Sequence, residues 1–449
     1  MNASLEDLLR RYTSYPTAVE FHEGVGAETY RSHLERAARS REPLSLYVHL
    51  PFCEERCLFC GCNVVVTKRR DVAARYLDML VREIDALAAF VGRRPVAQMH
   101  WGGGTPTYLD PDPIRRLHGA IAERFAFTPG AERGIEVDPR VTTRAHLETL
   151  RDLGFDRLSA GVQDFAADVQ EAIGRFQTLR QTTDLVAEAR SLGFASINLD
   201  LVYGLPRQTA EAFAASLDLV LELRPDRLAV YSYAHVPWMK GHQRKIPPAS
   251  LPSPATKLAL FTTAVAALTE GGYDAIGMDH FALPGDELAR AARNGTLGRN
   301  FMGYTVHAAP DMVACGLSGI GDVAGAYVQN HPKLHAYEAA VARDDLAVER
   351  GYLLSDDDRL RREVIASLMC RFRLDLDDIG RRFGIDARAR FAPDLERLQP
   401  MEEDGLVRRD EGTLHVTEEG RLFVRNVCMC FDAHLDKPAP ARPRWSRTV

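Results

Sequence analysis

Cys53, Cys57, Cys60 and Cys62 lie within ten residues. The first three have the spacing C-x3-C-x2-C. Three thiolates so placed can hold three irons of a [4Fe–4S] cube, whose irons ordinarily take four cysteines. The fourth iron then stands open to a ligand that is not protein. Competing chemistries fit less well. A structural zinc ion takes four ligands, usually as two separated pairs. The chain has no second C-x2-C pair, and Cys428-Met429-Cys430 is too tight. A disulfide scaffold belongs to small secreted chains, whereas this chain has 449 residues and 8 cysteines. Cys315 and Cys370 read as buried inert thiols, a reading that does not suit four crowded cysteines.

Other chemistry-bearing residues follow along the chain. Gly102-Gly103-Gly104-Thr105-Pro106 is a turn in which the backbone can approach a ligand closely. Its carbonyl or N–H groups could bind an amino group. Glu136, Asp138, Gln163, Asp164 and Asp200 are polar residues in or at the ends of strand-like segments. A carboxylate there suits a ribose diol or an ammonium group, or caps the next helix. Arg175 could pair with a carboxylate through two hydrogen bonds, or be a solvated surface arginine. Lys68-Arg69-Arg70 and Arg244-Lys245 read as solvated charge, and as holders of carboxylates if the substrate carries several.

The elements that must position these residues alternate. Leu44–Leu50 reads as a short buried strand ended by Pro51, and Asp71–Val91 as an amphipathic helix. The cysteines sit on the loop between them, where α/β barrels place their chemistry. Further strands are expected at Val96–Trp101, Gly134–Asp138, Arg157–Val162, Ile197–Tyr203 and Arg227–Tyr233. Helices are expected at Pro113–Arg124, Arg144–Leu153, Gln181–Leu192 and Ala210–Leu223. This alternation predicts an α/β fold with six parallel βα units. Six are too few for a closed eightfold barrel and suit an open, partial (βα)6 TIM-like barrel. The C-terminal part differs. Helices at Asp358–Cys370, Leu376–Phe383, Phe391–Glu403 and Glu418–Val427 surround a strand pair, Leu406–Asp410 and Leu414–Thr417. That predicts a mainly helical, winged-helix-like domain with a docking or lid role. The expected division is an N-terminal arm (1–26), a catalytic domain (27–348, barrel core about 44–240) and a C-terminal domain (349–449).

Composition narrows the class. Hydrophobic residues make up 46% and charged residues 26%, with a net charge of −6, so neither nucleic acid nor an anionic membrane is an expected partner. No apolar run approaches the roughly 20 residues of a membrane span. Met1–Asp7 has no signal-peptide character. Clustered free cysteines without an export signal predict a cytoplasmic location. The chain has no internal repeat, and Lys437–Arg444 is a Pro/Arg-rich tail.

The motifs resemble one family. C-x3-C-x2-C is the signature of radical SAM enzymes, in which S-adenosylmethionine (SAM) chelates the open iron. Arg11–Thr17 (RYTSYPT), Tyr47–Cys53 (YVHLPFC), Cys60-Gly61-Cys62-Asn63 and His100–Leu109 (HWGGGTPTYL) are similar to oxygen-independent coproporphyrinogen III oxidase (dehydrogenase), which acts in haem biosynthesis. So are Glu136–Arg140 (EVDPR), Gly161–Phe165 (GVQDF), Gly277–Ala282 (GMDHFA), Arg299-Asn300-Phe301 and Cys428–Asp432 (CMCFD). The resemblance covers nearly the whole chain. Cys62 and CMCFD separate it from a related haem-chaperone branch.

The resemblance implies a radical SAM barrel in which Cys53, Cys57 and Cys60 ligate a [4Fe–4S] cluster and Cys62 does not. It implies two SAM molecules. Tyr47, Gly103, Glu136 and Ile320 match positions contacting one. Phe59, Gly104, Thr105, Gln163, Arg175, Asp200 and Ala234 match positions contacting the other. Tyr47, Glu136 and Ile320 are implied to be catalytic. The implied substrate is coproporphyrinogen III, two of whose propionates become vinyl groups. An electron donor such as flavodoxin or ferredoxin, an electron acceptor and a monomeric state are also implied. The family has Gln-Gly-Tyr-Thr after Asn300-Phe301, where this chain has Met302-Gly303-Tyr304-Thr305. Methionine can fill the volume but cannot replace the amide's hydrogen bonds. Alternatives are another radical SAM reaction on the same scaffold, such as methyl transfer or porphyrin ring opening, and a haem chaperone.

Overall fold

The computed structural model describes residues 12–344 and 346–435. Met1–Asp7, Arg11 and the Lys437–Arg444 tail lie outside them. The six expected strands form: β1 (Leu44–Leu50), β2 (Val96–Gly103), β3 (Phe127–Val137), β4 (Arg157–Gln163), β5 (Ser196–Tyr203) and β6 (Arg227–Ser232). They stand side by side in chain order, each parallel to the next. Their alternate side chains are buried under the helices outside and the barrel lining within. In β1, Leu44, Leu46, Val48 and Leu50 are buried on one face and Ser45 and His49 on the other, as a sheet covered on both faces requires. The helix Arg70–Val91 turns Tyr76, Leu77, Leu80, Ile84 and Leu87 to this core at helical spacing.

Two features of the large sheet depart from the sequence reading. β3 begins at Phe127, not Gly134. Pro129-Gly130 reads as a turn, and the chain absorbs it with Gly130 at φ +74° and a register shift against β2. The sheet also does not stop at six strands. Asp311–Cys315 pairs parallel to β1 on its free edge. Three antiparallel strands continue from it: Ile320–Val323, Ala326–Asn330 and Val348–Leu353. Two more, His280–Ala282 and Asp274–Gly277, follow β6 at the opposite edge. The result is a 12-stranded open sheet.

The C-terminal part is mainly helical, with a small three-stranded sheet. Its order is Arg373–Asp375, Thr413–Val416, Val407–Asp410. The third strand is too short to show alternation in sequence. The helix expected at Phe391–Glu403 is instead two short pieces, Ala392–Glu396 and Gln399–Glu403, preceded by a third, Ala387–Arg390. Pro393 and Pro400 each sit in the first turn of a piece, where a missing N–H is tolerated. The last expected helix divides into a 3-10 turn, Glu419–Phe423, and the helix Val424–Met429. Gly420 lies against the Leu406 carbonyl so closely that a Cβ would collide with it. These helices share one apolar cluster with Tyr12, Tyr15, Ile276, Met278 and Tyr304.

Candidate functional site

β1 delivers the chain to Pro51, and the cysteine loop hangs from its end. The short strand Phe52–Cys53 pairs with Val65–Val66, closing the loop at its base. Leu58 N–H donates to the Ile173 carbonyl (2.8 Å) and Cys60 N–H to the Cys57 carbonyl (3.3 Å). Cys53, Cys57 and Cys60 then face one cavity of about 900 Å³ at the C-terminal ends of the strands, where parallel barrels carry their sites. Cys62 also lines it.

Among the described residues, the only three His, Cys, Asp or Glu ligand atoms within 4.8 Å of one another belong to Glu132, Glu287 and His307. There Arg157 already bridges the two carboxylates, so charge is balanced without an ion. The cysteine sulfurs are spread more widely. As placed, no three of them surround one ion, whereas a [4Fe–4S] cluster gives each thiolate its own iron.

Charge around the thiols is arranged unevenly. The guanidinium groups of Arg140 and Arg175 each lie 3.8 Å from Cys57 Sγ. Asp138 holds both, at 2.7 Å and 2.9 Å. Burial pushes the Asp138 carboxyl up, but Arg175 and Arg140 outweigh it and keep it below the usual range. Cys53 Sγ has only the Thr105 hydroxyl, at 3.6 Å, and burial pushes its thiol up to about 11. A hydrogen bond from Cys62 draws the Cys60 thiol down and raises that of Cys62.

The glycine turn packs against this loop. Gly104 N–H donates to the Leu50 carbonyl and Thr105 N–H to the Phe52 carbonyl, both at 2.8 Å. Gly103 N–H donates to Glu136 Oε2 at 3.0 Å. A Cβ at Gly102 would stand 2.8 Å from the Glu136 carboxylate, and one at Gly104 would stand 2.6 Å from Pro51. Glycine is therefore required by close packing within the protein. With these N–H groups taken, carbonyls are what the turn can offer a ligand's amino group.

Glu136 ends β3 with His100 3.5 Å away. Burial raises its carboxyl, but His100 and the Gly103 N–H more than compensate. Across the cavity, Asp200 of β5 accepts from Asn198 (2.7 Å) and Ser159 (3.3 Å). Burial, then the Glu136 charge, pushes it up to about 7. Gln163 ends β4 at φ +71°, a conformation rare outside glycine and common at binding sites. Arg175 is buried and donates to Gly161 O (2.6 Å) and Gln177 (3.0 Å). Its Nε is buried without a partner, a donor left over for something the protein chain does not supply.

The expected site residues thus converge, with two exceptions. Phe59, Gly103, Gly104, Thr105 and Glu136 line the cavity, as do Gln163, Arg175, Asp200 and Ala234. Tyr47 lies behind that wall. Its hydroxyl is 3.1 Å from His49 Nδ1, and its ring stacks on His100. Ile320 packs beside Phe21, Phe301 and Tyr327, away from the cavity lining. Met302 lies on the hairpin Gly298–Thr305, its N–H bound to Asn300 at 2.9 Å, and does not line the cavity either.

Sequence reasoning passed over Arg140, although Pro139-Arg140 directly follows a strand-end carboxylate. In the segment after β6 it singled out Ala234, Arg244 and Lys245 but passed over Lys240, His242 and Gln243. There Gln243 donates to Phe59 O (3.0 Å), His242 Nε2 to Cys60 O (2.8 Å) and Lys240 to Cys62 O (3.1 Å). No sequence signal announces that clamp.

The donor set, the spread of the sulfurs and the spare Arg175 donor fit a [4Fe–4S] cluster with SAM beside it. Comparisons agree. A profile of the Radical SAM superfamily matches residues 47–220, and one of the HemN C-terminal domain matches 354–423. The oxygen-independent coproporphyrinogen III oxidase of Escherichia coli (strain K12) is 49% identical, covering 98% of this chain and 95% of the relative. That of Pseudomonas aeruginosa is 46% identical, covering 98% and 96%. The solved structure of coproporphyrinogen III oxidase (HemN) from Escherichia coli, titled a radical SAM enzyme, superposes with TM-score 0.92 at 48% identity, covering 94% of this chain and 97% of that one. Identity at this level along nearly the whole chain makes it a member of the oxygen-independent coproporphyrinogen III oxidase family, radical SAM enzymes whose cofactors are a [4Fe–4S] cluster and SAM.

Proposed function

We propose that the chain converts two propionate side chains of coproporphyrinogen III to vinyl groups without oxygen, giving protoporphyrinogen IX and two CO2. The observation that carries this is the wall of Cys53, Cys57 and Cys60 opening on the same cavity as Glu136, Arg175 and Asp200, in a chain so similar to named oxidases. Bound there, the cluster and SAM supply a 5′-deoxyadenosyl radical, the hard step that belongs to the cofactor.

The protein's own residues do the rest. Cys53, Cys57 and Cys60 bind the cluster. Arg140 and Arg175 balance thiolate charge at Cys57, and Asp138 fixes both. Glu136 and Gly103 serve one SAM and the reacting centre, with Tyr47 behind them through the His49–His100 layer; for Ile320, which packs outside the cavity lining, the family resemblance alone supports a part there. Phe59, Gly104, Thr105, Gln163, Arg175, Asp200 and Ala234 serve the second. Each propionate loses one hydrogen atom from its β-carbon, then CO2 and one electron. A donor such as flavodoxin or ferredoxin must supply one electron per SAM cleaved, and an acceptor must take one per vinyl formed. The arm (1–26), catalytic domain (27–348) and C-terminal domain (349–449) are read as the units of a cytoplasmic monomer. No helix of the described residues is long and apolar enough to cross a membrane.

The test is an anaerobic assay of reconstituted protein with SAM, dithionite and coproporphyrinogen III, read by mass spectrometry. Loss of two CO2 with matched 5′-deoxyadenosine is the expected result. SAM cleavage without vinyl product would assign another reaction to the same scaffold.

A further inference from the structure

The cysteine loop has two faces. One lines the cavity. The other is covered by 238–245, whose Lys240, His242 and Gln243 hold the carbonyls of Cys62, Cys60 and Phe59. Outside that cover the surface is cationic and partly apolar. Lys240, Arg244 and Lys245 follow one another closely, and Arg56, which also lines the cavity, joins them with its guanidinium 3.4 Å from His242 Nδ1. Among the described residues none of the four pairs with a carboxylate, whereas Arg69 and Arg70 nearby in the chain are taken by Asp71 and Glu54. Glu55 is the one unpaired acid of the loop. Trp238 is 42% and Met239 66% exposed beside them. Exposed Trp, Met and Arg are what protein interfaces favour over ordinary surface, and the lysines add positive charge for an acidic partner. Arg244 and Lys245 do not line the cavity, so they do not face a molecule bound inside it.

The proposed reaction needs an electron from outside, and the cavity side is given to SAM and substrate. From this outer face, one hydrogen-bonded ring, that of His242, separates the surface from the Cys60 carbonyl. We infer that Arg56, Trp238, Met239, Lys240, Arg244 and Lys245 form the docking surface for an acidic one-electron carrier protein. The inference rests on the radical SAM reading above. Opposite charge speeds encounter and fixes orientation, and the short path suits electron transfer, which falls steeply with distance.

Reduced flavodoxin is the acidic probe for the test, with reconstituted full-length protein. Binding is followed by calorimetry, and 5′-deoxyadenosine formation with either flavodoxin or dithionite as reductant. Arg244→Glu combined with Lys245→Glu should weaken flavodoxin binding roughly tenfold and slow flavodoxin-limited turnover similarly, leaving the dithionite-driven rate within about twofold. The neutral pair Arg244→Gln and Lys245→Gln should show a smaller effect of the same sign, and stands in if charge reversal impairs folding. Added salt should weaken wild-type binding towards that of the variants. Unchanged flavodoxin affinity in both variants, or no flavodoxin binding by the wild type, overturns the docking surface. A raised KM for coproporphyrinogen III with dithionite also overturns it and gives these charges to substrate carboxylates. Failure of the wild type to cleave SAM with dithionite overturns the radical SAM reading instead.

Discussion

Two guanidinium groups, both held by the Asp138 carboxylate, reach Cys57 Sγ directly. Replacing Cys53, Cys57 or Cys60 by serine removes an iron ligand. Each variant should lose the broad visible absorbance after anaerobic reconstitution, whereas Cys62→Ser should keep it. Full absorbance in any of the first three would remove that residue from the ligand set. Asp200 offers a second test. Its carboxyl stands at about 7 because burial and the Glu136 charge both favour the neutral form. Difference infrared spectroscopy of the ligand-free protein should show a carboxyl band titrating near that value. Glu136→Gln removes one of the two causes, so the midpoint should move down. A midpoint unmoved in that variant would mean that the two carboxylates do not sense each other.

Among the elements, the helix Arg70–Val91 is tied to the sheet's added edge through one buried acid. Glu83 accepts from Gly316 N–H (2.7 Å), Asn330 Nδ2 (2.6 Å) and the Tyr337 hydroxyl (2.7 Å). Burial outweighs these donors and raises its carboxyl from 4.5 to about 7. A carboxyl raised on folding binds protons more tightly in the native state. Its contribution to stability is therefore fully present below pH 4.5 and lost as pH rises through about 7. A shift of this size amounts to roughly 3 kcal/mol. Relative to Glu83→Gln, the wild type should gain stability between pH 8 and pH 5 in denaturant unfolding. A difference independent of pH would show that Glu83 ionises normally.

For the molecule as a whole, charged pairs join the sheet to the C-terminal helices, among them Arg362–Asp322 and Arg425–Asp279. Arg425 of the helix Val424–Met429 makes a two-pronged pair with Asp279, and its Nε donates to Tyr12 O at 3.2 Å. Both side chains are nearly buried. Arg425→Ala removes the two-pronged partner that Asp279 has on this helix, and breaking such a nearly buried pair costs roughly 3–5 kcal/mol. The variant should unfold at lower denaturant and be cut sooner by protease in the C-terminal part. Wild-type stability would show the pair to be dispensable. Tyr15 and His434 both reach Asp358, at 3.1 Å each, so the segment around Tyr15 and the chain around His434 meet on one acid of the helix Asp356–Arg371.

Local pattern by itself determined much of this protein. The apolar runs of β1 to β6 and the helices between them are readable because each buries its own face, and the period of that burial is written in consecutive residues. The three cysteines are equally readable, since one short loop carries them together whatever the rest of the chain does. Pairings across long separations are not readable. Asp311–Cys315 looks like any five-residue apolar stretch until it lies along β1. Arg175 looks like a surface arginine until folding brings it to Asp138, 37 positions away. Lys240, His242 and Gln243 clamp a loop about 180 residues earlier, and Tyr47 and Ile320 stand behind or beside the cavity rather than on its wall. Such partners are chosen by which surfaces pack together. That choice belongs to the whole core, and no single stretch of sequence encodes it.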